Sequence, residues 1–150
     1  MSLPAAGAPA ARTLALNLEL SHGPHGASAR IELLERYGMR IALLALRGWV
    51  DPPAAHRLEL ALEDLAARGV DQLLLDCSWL RHIDYREVPA LLASFERFES
   101  RAGGIVVCGL SHYLRDLFRL AGCESRLRCW PTAAELLLPA ALEPRRECAS

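Results

Sequence analysis

No lysine occurs in this chain: its 17 basic side chains are all arginine, set against 18 acidic ones. The formal net charge of −1 removes the electrostatic reason to expect nucleic acid or an anionic membrane as a partner. No apolar run approaches the roughly 18 to 20 residues of a membrane span, so direct insertion into a membrane is not expected. The five cysteines, Cys77, Cys108, Cys123, Cys129 and Cys148, are odd in number and form no C-x-x-C pair. With no signal-peptide pattern ahead of them, they imply reduced thiols and a cytoplasmic protein. A P-loop and a glycine-rich phosphate cradle are also missing. Cys123, Cys129 and His112 lack zinc spacing, and His22 and His25 sit in a Gly/Pro-rich stretch that reads as a flexible loop. No metal and no cofactor is implied.

What is present suits one globular domain. The 150 residues are 52% hydrophobic with mixed charge, enough to bury roughly 68–70% of the unfolded surface. The chain is organised around Val70 to Leu92. Leu73, Leu74 and Leu75 in succession predict a strand covered on both faces, as in a parallel sheet. A short loop ending at Asp84 follows. Val88, Leu91, Leu92, Phe95 and Phe98 then recur at helical spacing. The turn at Asp84 is thereby placed at the carboxyl end of a central strand and the amino end of a helix, the crevice in which open α/β folds place their sites.

The remaining segments fit around this unit. Residues 1–29 read as a leader containing one possible extra strand, in which Leu14, Leu16, Leu18 and Leu20 alternate with smaller or polar residues. That strand either adds to the edge of its own sheet or pairs with a second copy of the chain. Arg30 to Arg36 and Met39 to Leu46 flank Tyr37-Gly38 as a hairpin, and Arg47 to Pro53 reads as a turn. Asp51 is placed to cap a helix that runs to about Gly69. Ile105 to Cys108 is a further buried strand, and Ser111 caps a helix carrying Leu114, Leu117 and Phe118. Arg126 to Trp130 is a last short strand, Thr132 and Glu135 have capping-box spacing for a final helix, and 143–150 is a loose tail. The expected fold is α/β: a mainly parallel sheet of four to five strands with an antiparallel edge hairpin and about four helices, with the domain at 30–142.

Four segments in this order are similar to the STAS domain, the fold of bacterial anti-sigma factor antagonists and of the cytoplasmic parts of sulfate transporters. Gly48-Trp49-Val50-Asp51 resembles the family's G-x-L-D. Leu75-Asp76-Cys77-Ser78 with Ile83-Asp84 resembles its L-D-L-S and (F/I)-D. Gly103 to Ser111 resembles its G-G-x-L-x-L-x-G-x-S, and Leu114 to Gly122 its following helix. The resemblance implies a non-catalytic regulatory module that binds a protein partner, such as an anti-sigma factor-like kinase or a related scaffold. In regulatory members the turn reads Asp-Ser-Ser-Gly, and the second serine is phosphorylated by the partner. Here Tyr85-Arg86-Glu87 follows Asp84, and Arg86 occupies the place of that serine. A phosphate would bring about −1.5 to −2 charge, and this chain has no serine or threonine there to carry it.

The expected partner surface is Asp51 and Asp84 to Glu87, extended by Trp49 and Trp79 if these are exposed. Tyr and Arg are enriched at interface hot spots. An arginine at a helix start opposes the helix dipole; Glu87 suits it and is expected to pair with Arg86 or Arg81. Ser78, His82 and Asp84 lie close in sequence but lack a glycine-flanked elbow, and His82 is expected to point to solvent, so no hydrolase is expected. An accessory subunit of a membrane transport system and a nucleotide or small-ligand sensor are the alternatives, and a homodimer through the Leu14–Leu20 strand is a further possibility.

Overall fold

A computed structural model describes residues 11–122 and 129–130. Six strands form one sheet in sequential order: β1 (Ala11–Glu19), β2 (Ser28–Arg36), β3 (Met39–Val50), β4 (Gln72–Ile83), β5 (Gly104–Cys108) and the two-residue β6 (Cys129–Trp130). The first three are antiparallel to one another, and β3 through β6 are parallel. The mixed sheet with an antiparallel edge is the arrangement expected from the sequence. Tyr37 and Gly38, with φ of 53° and 75°, join β2 to β3. Two successive positive φ values make a turn whose twist matches the strands it connects. The Leu14–Leu20 segment lies in its own sheet: β1 pairs with β2 from Ala11↔Glu35 to Glu19↔Ser28.

Among the described residues, three α-helices supply the crossovers. Helix α1 (Pro52–Ala67) starts where Asp51 accepts the Ala54 N–H at 2.9 Å, with prolines at its first positions. Helix α2 (Val88–Arg101) follows a single 3₁₀ turn, Tyr85–Glu87. Helix α3 (His112–Leu120) is capped by Ser111, which accepts the Leu114 N–H at 3.2 Å. The expected final helix from Thr132 and the tail 143–150 lie outside the described residues.

The main core lies between one sheet face and the helices. Leu44, Leu73 and Leu75 meet Leu58, Leu92 and Leu114 there, all less than 2% exposed. Burying each such side chain is worth about 1.5–3 kcal/mol before ordering costs. A second, smaller cluster of Leu34, Ile41, Leu74, Val106 and Cys108 occupies the other face. The run Leu73-Leu74-Leu75 therefore divides between two cores, as a strand buried on both faces must.

One expectation is overturned at the centre of the chain. The segment Cys77 to Ile83 is not a loop but the second half of β4, and β3 likewise runs on through Arg47 to Val50. The pairing continues to Val50↔Ile83, with register shifts between Ala45 and Arg47 and between Gly48 and Trp49. Each shift places one extra residue in β4. The buried residues accordingly fall at Cys77, Leu80 and Ile83, three apart instead of two. Bulges of this kind erase the alternation by which a strand is recognised in a sequence.

Candidate functional site

The long strands β3 and β4 end side by side. Asp84 donates its backbone N–H to the Val50 carbonyl at 2.8 Å, which fixes the start of the 84–87 turn next to Asp51 and the start of α1. The two helix-initiating carboxylates, Asp51 and Asp84, thus stand at one end of the sheet. Each caps its own element: Asp51 caps α1, and Asp84 accepts the Arg86 N–H at 3.0 Å to start the 3₁₀ turn.

Arg86 folds back over that turn. Its Nη2 donates to Asp84 Oδ2 at 3.0 Å and its Nε to Asp84 Oδ1 at 3.3 Å. The carboxylate on which it closes is Asp84, not Glu87: the carboxylate that caps the turn through the Arg86 N–H also accepts from the guanidinium of the same residue. The side-chain hydrogen bond from Arg86, followed by the backbone N–H bond, holds the Asp84 carboxyl below its ordinary range, and the same pair raises the Arg86 guanidinium. The arginine remains largely in water, with its side chain 81% exposed against 24% for Asp84. This neutralises the positive charge that would otherwise oppose the dipole of α2.

Tyr85, 48% exposed, leans the other way and donates its hydroxyl to the Leu120 carbonyl at the end of α3, at 3.2 Å. Glu87 faces the opposite side, where it lines a groove of about 130 Å³ between α1 and α2 together with Ala55, His56, Glu59 and Ser94. The turn therefore borders each of the three described helices.

Trp49 and Trp79 are both exposed, at 41% and 60%, but they are not one patch with each other. Trp79 lies across the strand pair from Arg47, whose guanidinium sits 5.3 Å from its ring. Trp49 lies opposite His82 and belongs to a row of rings across the sheet end: His25 stacks on Trp49 at 4.3 Å, Trp49 meets His82 at 5.1 Å, and His82 stacks on Tyr113 at 5.6 Å. His82 does not point to solvent; it is half-buried, and its Nδ1 is 2.5 Å from the Tyr113 hydroxyl. Tyr113 and Leu120 are neighbours that sequence reasoning did not single out, and His25 and His82, read there as loop and solvent-facing residues, join them. Nothing local marks them, since their proximity depends on the bulged register of β4 and on the placement of α3.

Ser78, His82 and Asp84 each have a different partner. Ser78 Oγ donates to Asp76 at 2.6 Å, His82 bonds Tyr113, and Asp84 holds Arg86, so no nucleophile–base pair forms among them. Among the described residues no set of three His, Cys, Asp or Glu side chains could hold a metal ion. No described helix is long and apolar enough to cross a membrane.

The sequence model of a family described as "Mlab, STAS domain" matches residues 40–137. Solved structures share the fold. An anti-sigma factor antagonist from Mycobacterium paratuberculosis superposes with a TM-score of 0.64 at 22% identity, over 83% of this chain and 100% of that one. The anti-sigma factor antagonist SpoIIAA in its unphosphorylated form gives 0.59 at 18% identity, over 77% and 99%. The protein TM1081 gives 0.58 at 13% identity, over 65% and 78%.

Proposed function

The chain belongs to the STAS domain family, and on that premise we propose that it is a non-catalytic docking module of the anti-sigma factor antagonist kind. Its protein partner meets the Asp84–Glu87 turn and the flanking Asp51 and Trp49, and the contact is not switched by phosphorylation at this turn. The observation that carries the reading is the closed Arg86–Asp84 pair in an exposed turn that also bears Tyr85. A turn held by its own ion pair presents one shape, so little ordering is lost on binding. A serine would leave that shape dependent on a kinase. The partner resembles an anti-sigma factor or a scaffold built of related domains, and its abundance controls occupancy.

The composition of the same turn favours a second reading. With no serine or threonine at positions 85–87, a kinase partner has no substrate at this turn, which suits an accessory subunit of a membrane transport system. Affinity capture with the full chain in the native cell, followed by mass spectrometry, separates the two. An anti-sigma-like protein supports the first reading, and an ATPase with its permease the second. The captured chain should carry no phosphate on the peptide containing residues 84–87. Phosphate there, at Tyr85, would overturn the unswitched mechanism under either reading.

A further inference from the structure

The first strand forms one edge of the sheet, and among the described residues no strand pairs with its outer side. We propose that this edge is a homodimerisation surface, in which β1 pairs antiparallel with β1 of a second copy to make a continuous sheet. The proposal goes beyond the docking turn, which lies after β4, and stands or falls separately from it.

The edge is built for main-chain pairing. Just past the end of β1, Leu20 donates its N–H to the carbonyl of Ala27, the residue before β2, at 2.9 Å. Residues of an antiparallel strand alternate between facing and not facing the partner. The N–H groups of Leu18 and Leu16 therefore face β2, and those of Asn17 and Ala15 face outward. Nine residues at about 3.4 Å each present roughly 30 Å of edge. Between Arg12 and Glu19 the strand has no charge and no proline, the usual devices that keep an edge from pairing. The one bulge, between Arg12 and Leu14, lies at the end of the strand and leaves Leu14 to Glu19 regular.

A second copy is the occupant that the strand itself specifies. A twofold axis perpendicular to the sheet at Leu16 sets Leu16 opposite its own copy, Leu14 opposite Leu18 and Ala15 opposite Asn17. No like charges then face each other, and the Glu19 end of each strand lies alongside the Arg12 end of the other. Leu16 and Leu18 are half-buried at the rim of the main core, on the same face. The pairing extends that leucine row across the axis and takes it further out of water. The contact is narrow compared with the roughly 1,600 Å² of a standard interface, so the dimer is weak and reversible.

Sedimentation velocity over a wide concentration series tests this with the full chain. The wild type should move from monomer to dimer as concentration rises. Asn17→Pro removes one outward N–H and no bond to β2, and proline is tolerated on that side of an edge strand. It should raise the dimer dissociation constant at least about tenfold with an unchanged circular dichroism spectrum, and Ala15→Pro should do the same. Asn17→Ala keeps the N–H and should dimerise like the wild type. A wild type that stays monomeric throughout, or proline variants that fold and dimerise as well as the wild type, would overturn the proposal.

Discussion

Gly48 is the residue on which the geometry of the sheet end depends most sharply. Its φ is +85°, and a Cβ placed there would lie 2.2 Å from the Gly26 carbonyl oxygen, well inside the 3.4 Å at which ordinary contact begins. Gly48→Ala therefore carries two costs. The left-handed backbone costs about 1–2 kcal/mol for a residue with a Cβ. Forcing the 23–27 turn away from β3 adds about 1–3 kcal/mol, the usual cost of overpacking. Gly38→Ala is the control, since Gly38 has a φ of +75° but open space where the Cβ would stand. It should show only the backbone cost. The difference, at least about 1 kcal/mol, corresponds to about 2–4 °C in melting temperature for a domain of this size. Hydrogen exchange gives a local reading of the same event. The Trp49 N–H donates to the His25 carbonyl at 3.1 Å, and displacing the turn breaks that bond. Faster exchange at Trp49 is expected in Gly48→Ala and not in Gly38→Ala. Equal destabilisation by the two variants, with Trp49 still protected, would refute the reasoning.

Three further outcomes follow from the packing and the charges. Leu92, 1% exposed where α2 meets the sheet, should cost about 2–5 kcal/mol when replaced by alanine, read as a lower urea midpoint at unchanged slope. The lowered Asp84 carboxyl adds stability that is full above its ordinary value of 3.8 and is lost as pH falls through the lower folded value. Asp84→Asn should accordingly flatten the acid limb of stability against pH, and an unchanged limb would remove this pair from the account. Burial, reinforced by the Asp76 charge and hydrogen bond, pushes the Cys108 thiol up to about 12. Peptide mapping should therefore find Cys108 unmodified by iodoacetamide at neutral pH until the protein is unfolded.

The parts of the fold legible in the sequence are those in which periodicity and capping agree. Asp51 and Ser111 cap helices where expected, and Val88, Leu91, Leu92, Phe95 and Phe98 form the buried face of α2. The Tyr37-Gly38 hairpin needed only local turn chemistry. The second half of β4 was illegible because its two extra residues move the buried positions to Cys77, Leu80 and Ile83, which breaks the two-residue alternation of a strand. At the site, the exposure of Tyr85 and Arg86 follows from their place in a turn between two elements. The Arg86–Asp84 pair stands in place of the expected pairing of Glu87 with Arg86 or Arg81, because a cap that also draws its own residue's guanidinium onto the carboxylate leaves no periodic mark in the sequence. The ring row from His25 to Tyr113 joins residues from four separate segments, and only the completed sheet brings them together.

The most direct measurement is the affinity of the captured partner for the purified chain, taken by calorimetry for the wild type, Arg86→Ala and Leu60→Ala. Leu60 is an exposed apolar residue on α1, away from the 84–87 turn in sequence, and serves as the control. If the turn is the docking surface, Arg86→Ala weakens binding at least about tenfold while the fold persists, and Leu60→Ala leaves it unchanged. A partner that binds Arg86→Ala as tightly as the wild type would contradict the central claim.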